Sequence, residues 1–253
     1  MSKLAVNLSM IFTEVPLIER FALAREHGFQ HVEIQFPYEL SIEQIQTQLT
    51  LHQLSLCLGN GLAGVPGKEI EFHHALELAI RYATALNVPS VNILAGKQPV
   101  DADLLPCLNT LAENLKLACS MLTQHHIQPV FEMINGTDMP RFLVQNIAQA
   151  QEMLEAVKHP ALKMQYDCYH MAMMGEDVLS ALQENIQDIG HIQFADNPGR
   201  HEPDSGELDY TTIFKWLQHS AYSGYIAAEY RPSLASNQSF AWKDKYFASN
   251  QSG

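Results

Sequence analysis

"SMIFTEVP", Ser9 to Pro16, follows the first apolar run of the chain, and its reading decides between two folds. A doubly wound parallel sheet that binds a nucleotide carries a glycine-rich turn at this point, because glycine lets the backbone approach a phosphate closely. This stretch contains no glycine. The other common home for alternating strands and helices is a closed (β/α)8 TIM barrel, and the rest of the chain fits it. Short apolar runs recur at Leu4–Leu8, His31–Phe36, Leu54–Leu58, Val91–Ala95, Pro129–Ile134, Leu162–Asp167, Gly190–Ala195 and Tyr225–Tyr230. Between them lie longer stretches with apolar residues at helical spacing, such as "EFHHALELAIRYATAL" from Glu71. "PLIERFALAREHG" ends on Gly28, where a helix C-cap belongs. Eight strand candidates alternating with eight helix candidates make a single α/β barrel domain over residues 1–253. No linker or repeat interrupts it, and only the tail "ASNQSG" (Ala248 to Gly253) reads as loose.

Composition narrows the function. The chain is 47% hydrophobic and 17% charged, as expected of a folded soluble domain, and no apolar run approaches the ~20 residues of a membrane span. Four scattered cysteines (Cys57, Cys107, Cys119, Cys168) without a C-x-x-C read as reduced, buried thiols of a cytoplasmic protein. A formal net charge of −13 argues against a sequence-independent grip on nucleic acid. It leaves room for a small anionic substrate, since one metal or arginine reverses a local field. The oligomeric state is not legible; a homodimer or homotetramer is the general prior.

In a barrel, chemistry gathers where strands feed their following loops. The fifth candidate strand, "PVFEMI", carries Glu132; the sixth, "LKMQYD", ends on Asp167, with His170 just beyond; the seventh carries Gln193; the eighth, "YIAAEY", carries Glu229. A strand-end acid on its own most often caps the next helix. Three carboxylates sharing one apolar mouth repel each other unless a cation sits among them. Four oxygen donors on consecutive strands suit a hard divalent ion, Mg²⁺ or Mn²⁺, better than zinc. Gln193 then reads as a neutral oxygen ligand placed where an apolar residue would otherwise pack. A leucine there is expected to stabilise the metal-free protein while weakening metal binding, because a buried amide without a partner is costly.

This constellation resembles the hydroxypyruvate isomerase family, within the xylose-isomerase-like barrels that include the ketose 3-epimerases. The resemblance runs over nearly the whole chain. It is carried most specifically by "MQYDCYHM", "HIQFADNPGRHEPDSGELDY" and "AAEYRP", with support from "NLSMIFTEVPLIERF", "VEIQFPYEL", "PGKEIEF" and "FEMIN". It implies that Glu132, Asp167, Gln193 and Glu229 bind one divalent metal, and that Glu132 and Glu229 also move the proton. The 3-epimerases typically have histidine where Gln193 stands, which pulls the reading toward the hydroxypyruvate group. The chain departs from the family after its third strand, where "GNGLAGVPGKE" replaces a longer covering loop, and this bears on which substrate fits.

The implied reaction converts hydroxypyruvate to tartronate semialdehyde (2-hydroxy-3-oxopropanoate) through a cis-enediolate. His170 and Arg200 are candidates to hold substrate oxygens, Arg200 because its fork matches a carboxylate. A four-carbon 2-oxo acid such as 2-oxotetronate, or a ketose, would present the same hydroxy-ketone. Lys97, at the end of the fourth candidate strand, is a further substrate-binding candidate; it would be the nucleophile if the chain were instead a class I aldolase. An abasic-site endonuclease is a third reading, disfavoured by the scarcity of rim histidines and basic residues. Glu33 in "VEIQF" is an acid without an assigned role, His191 reads as structural, and the pairs His73-His74 and His125-His126 fall on helices away from the rim.

Overall fold

The computed structural model describes residues 3–52, 55–56, 59–62 and 65–247. Parallel strands alternate with helices along the chain: β1 (Lys3–Asn7), α1 (Leu17–Glu26), β2 (His31–Glu33), α2 (Ile42–Leu51), β3 (Ser55–Leu56), β4 (Gly59–Leu62), α3 (Glu69–Leu86), β5 (Ser90–Leu94), α4 (Leu104–Thr123), β6 (Gln128–Glu132), α5 (Ile147–Val157), β7 (Lys163–Asp167), α6 (Cys168–Met173), α7 (Val178–Asn185), β8 (Ile189–Phe194), α8 (Tyr210–His219), β9 (Tyr225–Ala228) and α9 (Ala241–Phe247). The ladder runs β3-β2-β1-β9-β8-β7-β6-β5-β4. Its two ends, Leu56 and Gly59, are three residues apart, and three residues span at most about 11 Å. The sheet therefore closes on itself, with β3 and β4 as two halves of one barrel stave.

That closure revises one boundary. The stretch from Gly59, expected to be loop, pairs with β5 as β4 over Gly59–Leu62. The connection to α3 is correspondingly shorter, six residues from 63 to 68. Cys57, part of the third candidate strand and the tail from Ala248 lie outside the described residues. Cys107, Cys119 and Cys168 are buried free thiols, and among the described residues no helix is long and apolar enough to cross a membrane.

Strands covered on both faces read as nearly unbroken apolar runs, which is why "SVNIL" and "QPVFE" are almost wholly buried. The helices turn one stripe inward: α3 buries Phe72, Leu76, the adjacent pair Ala79 and Ile80, Ala83 and Leu86, so that a buried position recurs every three to four residues. Their starts are set by short polar side chains. Ser41 and Gln44 form a capping box on α2, while Asn146, Asp177 and Asp209 accept from the N–H groups of Gln149, Ser180 and Thr212. Behind β8, Phe194 packs edge-on against Phe214 and Trp242, with centroids 5.0 and 5.1 Å apart. Trp242 donates its indole N–H to the Tyr230 hydroxyl at 3.1 Å, tying α9 to the end of β9.

Candidate active site

The strand C-terminal ends open on a cavity of about 410 Å³, toward the small end of the range for small-molecule sites. Glu132, His170, Gln193, Arg200 and Glu229 line it together with Gln35, Asp138, Gln165, Tyr169 and Arg231. Asp167 lies just behind: His170 Nε2 stands 3.6 Å and Arg200 Nη2 3.4 Å from its Oδ2. Asp167 also plays the plainer part open to a strand-end acid, since its Oδ1 caps α6 by accepting from the Tyr169 N–H at 2.9 Å. Lys97 is not brought in. Its backbone bridges Phe142, its side chain is exposed, and it is not among the residues that line the cavity.

Charge dominates the site. Glu132 and Glu229 are buried, and burial pushes both carboxyls up. For Glu132 the neighbouring Glu229 and Asp167 add to the rise; Glu229 reaches about 8, with Arg200 opposing and Glu33 and Asp167 adding. Arg200 is the cation among them: Nη2 lies 3.2 Å from Glu229 Oε2 as well as against Asp167. Burial alone would weaken its hold on the proton, but Glu229, Asp167 and Glu132 outweigh that and keep it charged. Three buried acids cannot all ionise beside one guanidinium unless a further cation joins them, and the donors facing the cavity are mostly hard oxygens. These residues fit a divalent cation.

A donor atom from each of Glu132, Asp167 and His170 falls within 4.8 Å of the others, so these three could hold a metal. Hydrogen bonding argues for a different use of the histidine. Asn135 Oδ1 accepts from the N–H groups of Thr137 and Asp138, which makes its Nδ2 the donor to His170 Nδ1 at 2.7 Å. Burial lowers His170 to about 4, so the ring is neutral near pH 7 and its proton sits on Nε2. An Nε2–H pointing between Glu132 and Asp167 is a donor for a substrate oxygen.

Glu33 turns out to organise the far wall. It is fully buried, and its Oε1 accepts from Asn7 Nδ2 and from Gln193 Nε2, each at 2.5 Å. His191 Nε2 stands 2.6 Å from its Oε2. A carboxylate only accepts, so Glu33 fixes which end of the Gln193 amide faces it. The Gln193 oxygen is left on the other side, where Gln165 Nε2 donates to it at 2.6 Å. Asn7 is pinned in turn, because its Oδ1 accepts from the N–H groups of Ser9 and Met10, and its Nδ2 also reaches Glu229 Oε1 at 3.2 Å. Gln35 donates to the same Glu229 oxygen, and Asn92 donates to Glu132 Oε2 at 2.7 Å. Of this network, Asn7, Gln35, Asn92 and Gln165 were not singled out in the sequence, and Glu33 was left without a role. Gln165 and Asn92 carry the same signal as Gln193, an amide inside an apolar strand, and Gln165 shares the face of Asp167 by two-residue alternation.

This network reverses the expected effect of a leucine at position 193. The glutamine amide is partnered at both ends, so Gln193→Leu removes two buried hydrogen bonds and leaves Gln165 Nε2 stranded. The metal-free variant is expected to be destabilised by roughly 1–3 kcal/mol in urea unfolding, the cost of the one donor left unsatisfied, since Glu33 keeps Asn7. A leucine variant more stable than the parent would return the position to ordinary core packing.

The sequence profile of the xylose isomerase-like TIM barrels matches residues 21–246. The chain belongs to that family. Over 97% of its length it is 37% identical to the hydroxypyruvate isomerase of Escherichia coli (strain K12), covering 100% of that protein. It is 35% identical to the 2-oxo-tetronate isomerase of Cupriavidus necator, covering 97% of this chain and 99% of that one. The crystal structure of an AP endonuclease, family 2, from Brucella melitensis superposes with a TM-score of 0.93 at 33% identity, covering 97% and 99% of the two chains. With isomerases matched end to end, this barrel is an enzyme of the isomerase class.

Proposed function

We propose that this barrel interconverts hydroxypyruvate and tartronate semialdehyde by proton transfer through a cis-enediolate. The observation that carries the reading is the placement of two buried carboxyls with raised proton affinity, Glu132 and Glu229, on the wall of one small cavity. A group poised to hold or release a proton near neutral pH is what a general acid–base pair requires. One carboxylate takes a proton from C3 and the other delivers one to C2, while the hydroxyl proton passes from O3 to O2. His170 Nε2–H donates to a substrate oxygen, and Arg200 offsets negative charge as it develops beside Asp167 and Glu229. Glu132, Asp167, Gln193 and Glu229 would hold one divalent ion, Mg²⁺ or Mn²⁺, which supplies Lewis-acid stabilisation of the enediolate charge.

The competing readings fare less well. A class I aldolase needs a lysine in the cavity, and Lys97 lies outside it. A nuclease resembling the Brucella neighbour would need a cationic face, against a net charge of −13. A four-carbon 2-oxo acid remains the closest alternative substrate, supported by the likeness to 2-oxo-tetronate isomerase. Assaying hydroxypyruvate, 2-oxotetronate and a neutral ketose side by side with Mg²⁺ or Mn²⁺ tests the assignment. The highest kcat/KM is expected on hydroxypyruvate; turnover confined to the ketose would overturn it.

A further inference from the structure

Two arginines line the cavity, and only one of them is spoken for. Arg200 is held against Asp167 and Glu229. Arg231 follows β9 by three residues, lines the same cavity, and is exposed on its rim. Its backbone is fastened on both sides: the N–H donates to Arg200 O at 2.8 Å, and His201 Nδ1 meets its carbonyl at 2.7 Å. Among the described residues, its guanidinium enters no ion pair or side-chain hydrogen bond. The Cα is therefore fixed on the wall while the fork is free to take a ligand.

Consider a 2-oxo acid entering this cavity. Its hydroxy-ketone end must reach Glu132 and Glu229 inside the cavity, which leaves its carboxylate at the other end, toward the rim. The protein as a whole, at −13, gives an anion no general attraction, so a local cation has to supply it. We propose that Arg231 grips the substrate carboxylate and sets the preference of this site for acids over neutral sugars. The assignment rests on the reading of the cavity as a 2-oxo acid isomerase site, and gives it a specificity element. A guanidinium suits the task because two parallel N–H donors match the two carboxylate oxygens.

The test uses the full-length, metal-loaded enzyme with Arg231→Gln and Arg231→Lys. Hydroxypyruvate is compared with dihydroxyacetone, which keeps the hydroxy-ketone and replaces the carboxylate by a neutral hydroxymethyl group. Arg231→Gln is expected to raise KM for hydroxypyruvate roughly 10- to 100-fold, the value of a lost charge-assisted hydrogen bond. Dihydroxyacetone should be handled as before, kcat on hydroxypyruvate should change little, and lysine should recover part of the loss. An unchanged KM, or a rise shared by both substrates, overturns the proposal. Calorimetric binding of pyruvate, a 2-oxo acid with no hydroxyl to isomerise, separates this inference from the assigned reaction. If wild type turns over neither substrate yet binds pyruvate more tightly than Arg231→Gln, the anion site stands and the reaction assignment falls. Equal binding by the two proteins removes Arg231 as the anchor.

Discussion

Replacing Glu132 or Glu229 by glutamine is expected to lower kcat at least ~10²-fold, the low end for a lost general base. The two variants should part company in metal binding, for a reason visible in their partners. Asn92 donates to Glu132, and the Asn92 oxygen has no partner, so the Asn92 amide can turn over and accept from a new NH2 group. A glutamine at 132 then keeps an oxygen toward the cavity. Glu229 has no such latitude. Its Oε1 accepts from Asn7 and Gln35 and its Oε2 from Arg200, and Asn7 is locked by the Ser9 and Met10 N–H groups. Glutamine at 229 must therefore set its NH2 group against donors on one side or the other. Glu132→Gln should keep most of its metal and lose turnover; Glu229→Gln should lose both. Metal analysis and steady-state kinetics on the same preparations check this, and normal turnover in either variant would strip that glutamate of its role in proton transfer.

Removing divalent metal is expected to abolish turnover altogether, with Mg²⁺ or Mn²⁺ restoring it. The charge imbalance among Glu132, Asp167, Glu229 and Arg200 gives a further, pH-dependent signature. Burial raises Glu229 from the ordinary 4.5 to about 8, so the folded protein binds a proton there that the unfolded chain has released. That contribution to stability is complete below pH 4.5 and is lost as pH rises through 8. A bound cation competes with the proton and removes the penalty of baring the carboxylate. The rise in melting temperature on adding Mn²⁺ should therefore be larger at pH 8.5 than at pH 6. Full activity in protein shown by elemental analysis to be metal-free would end the metal assignment.

What could be read from the chain, and what could not, follows from how far apart the interacting residues lie. Strand-helix alternation needs only local periodicity, so the barrel was legible, as was the line of Glu132, Asp167, Gln193 and Glu229 on successive strands. Local reading broke down where contacts cross the barrel. Asn7 meets Glu33 across 26 positions, Gln193 meets Glu33 across 160, and Asn7 meets Glu229 across 222. No periodicity links such pairs, so Glu33 looked like a stray acid when it orients the amide at 193. Lys97 misled for the opposite reason. Its place after an apolar run matched the expected pattern, but its backbone pairs with Phe142 and its side chain is exposed outside the cavity lining.

The pairing of β1 with β9 has a consequence for how such a protein is made. Residues 3–6 hydrogen-bond to residues 225–228, and the Asn7–Glu229 contact sits directly above that seam. Residues 225–228 must have left the ribosome before these partners can meet, since β9 is the strand that joins β1 to β8. Until then the nascent chain exposes sheet edges and has no assembled catalytic wall, the kind of intermediate that chaperones shield. A chain interrupted before β9 would thus hold seven of the eight staves and lack the Asn7–Glu229 contact of the catalytic wall.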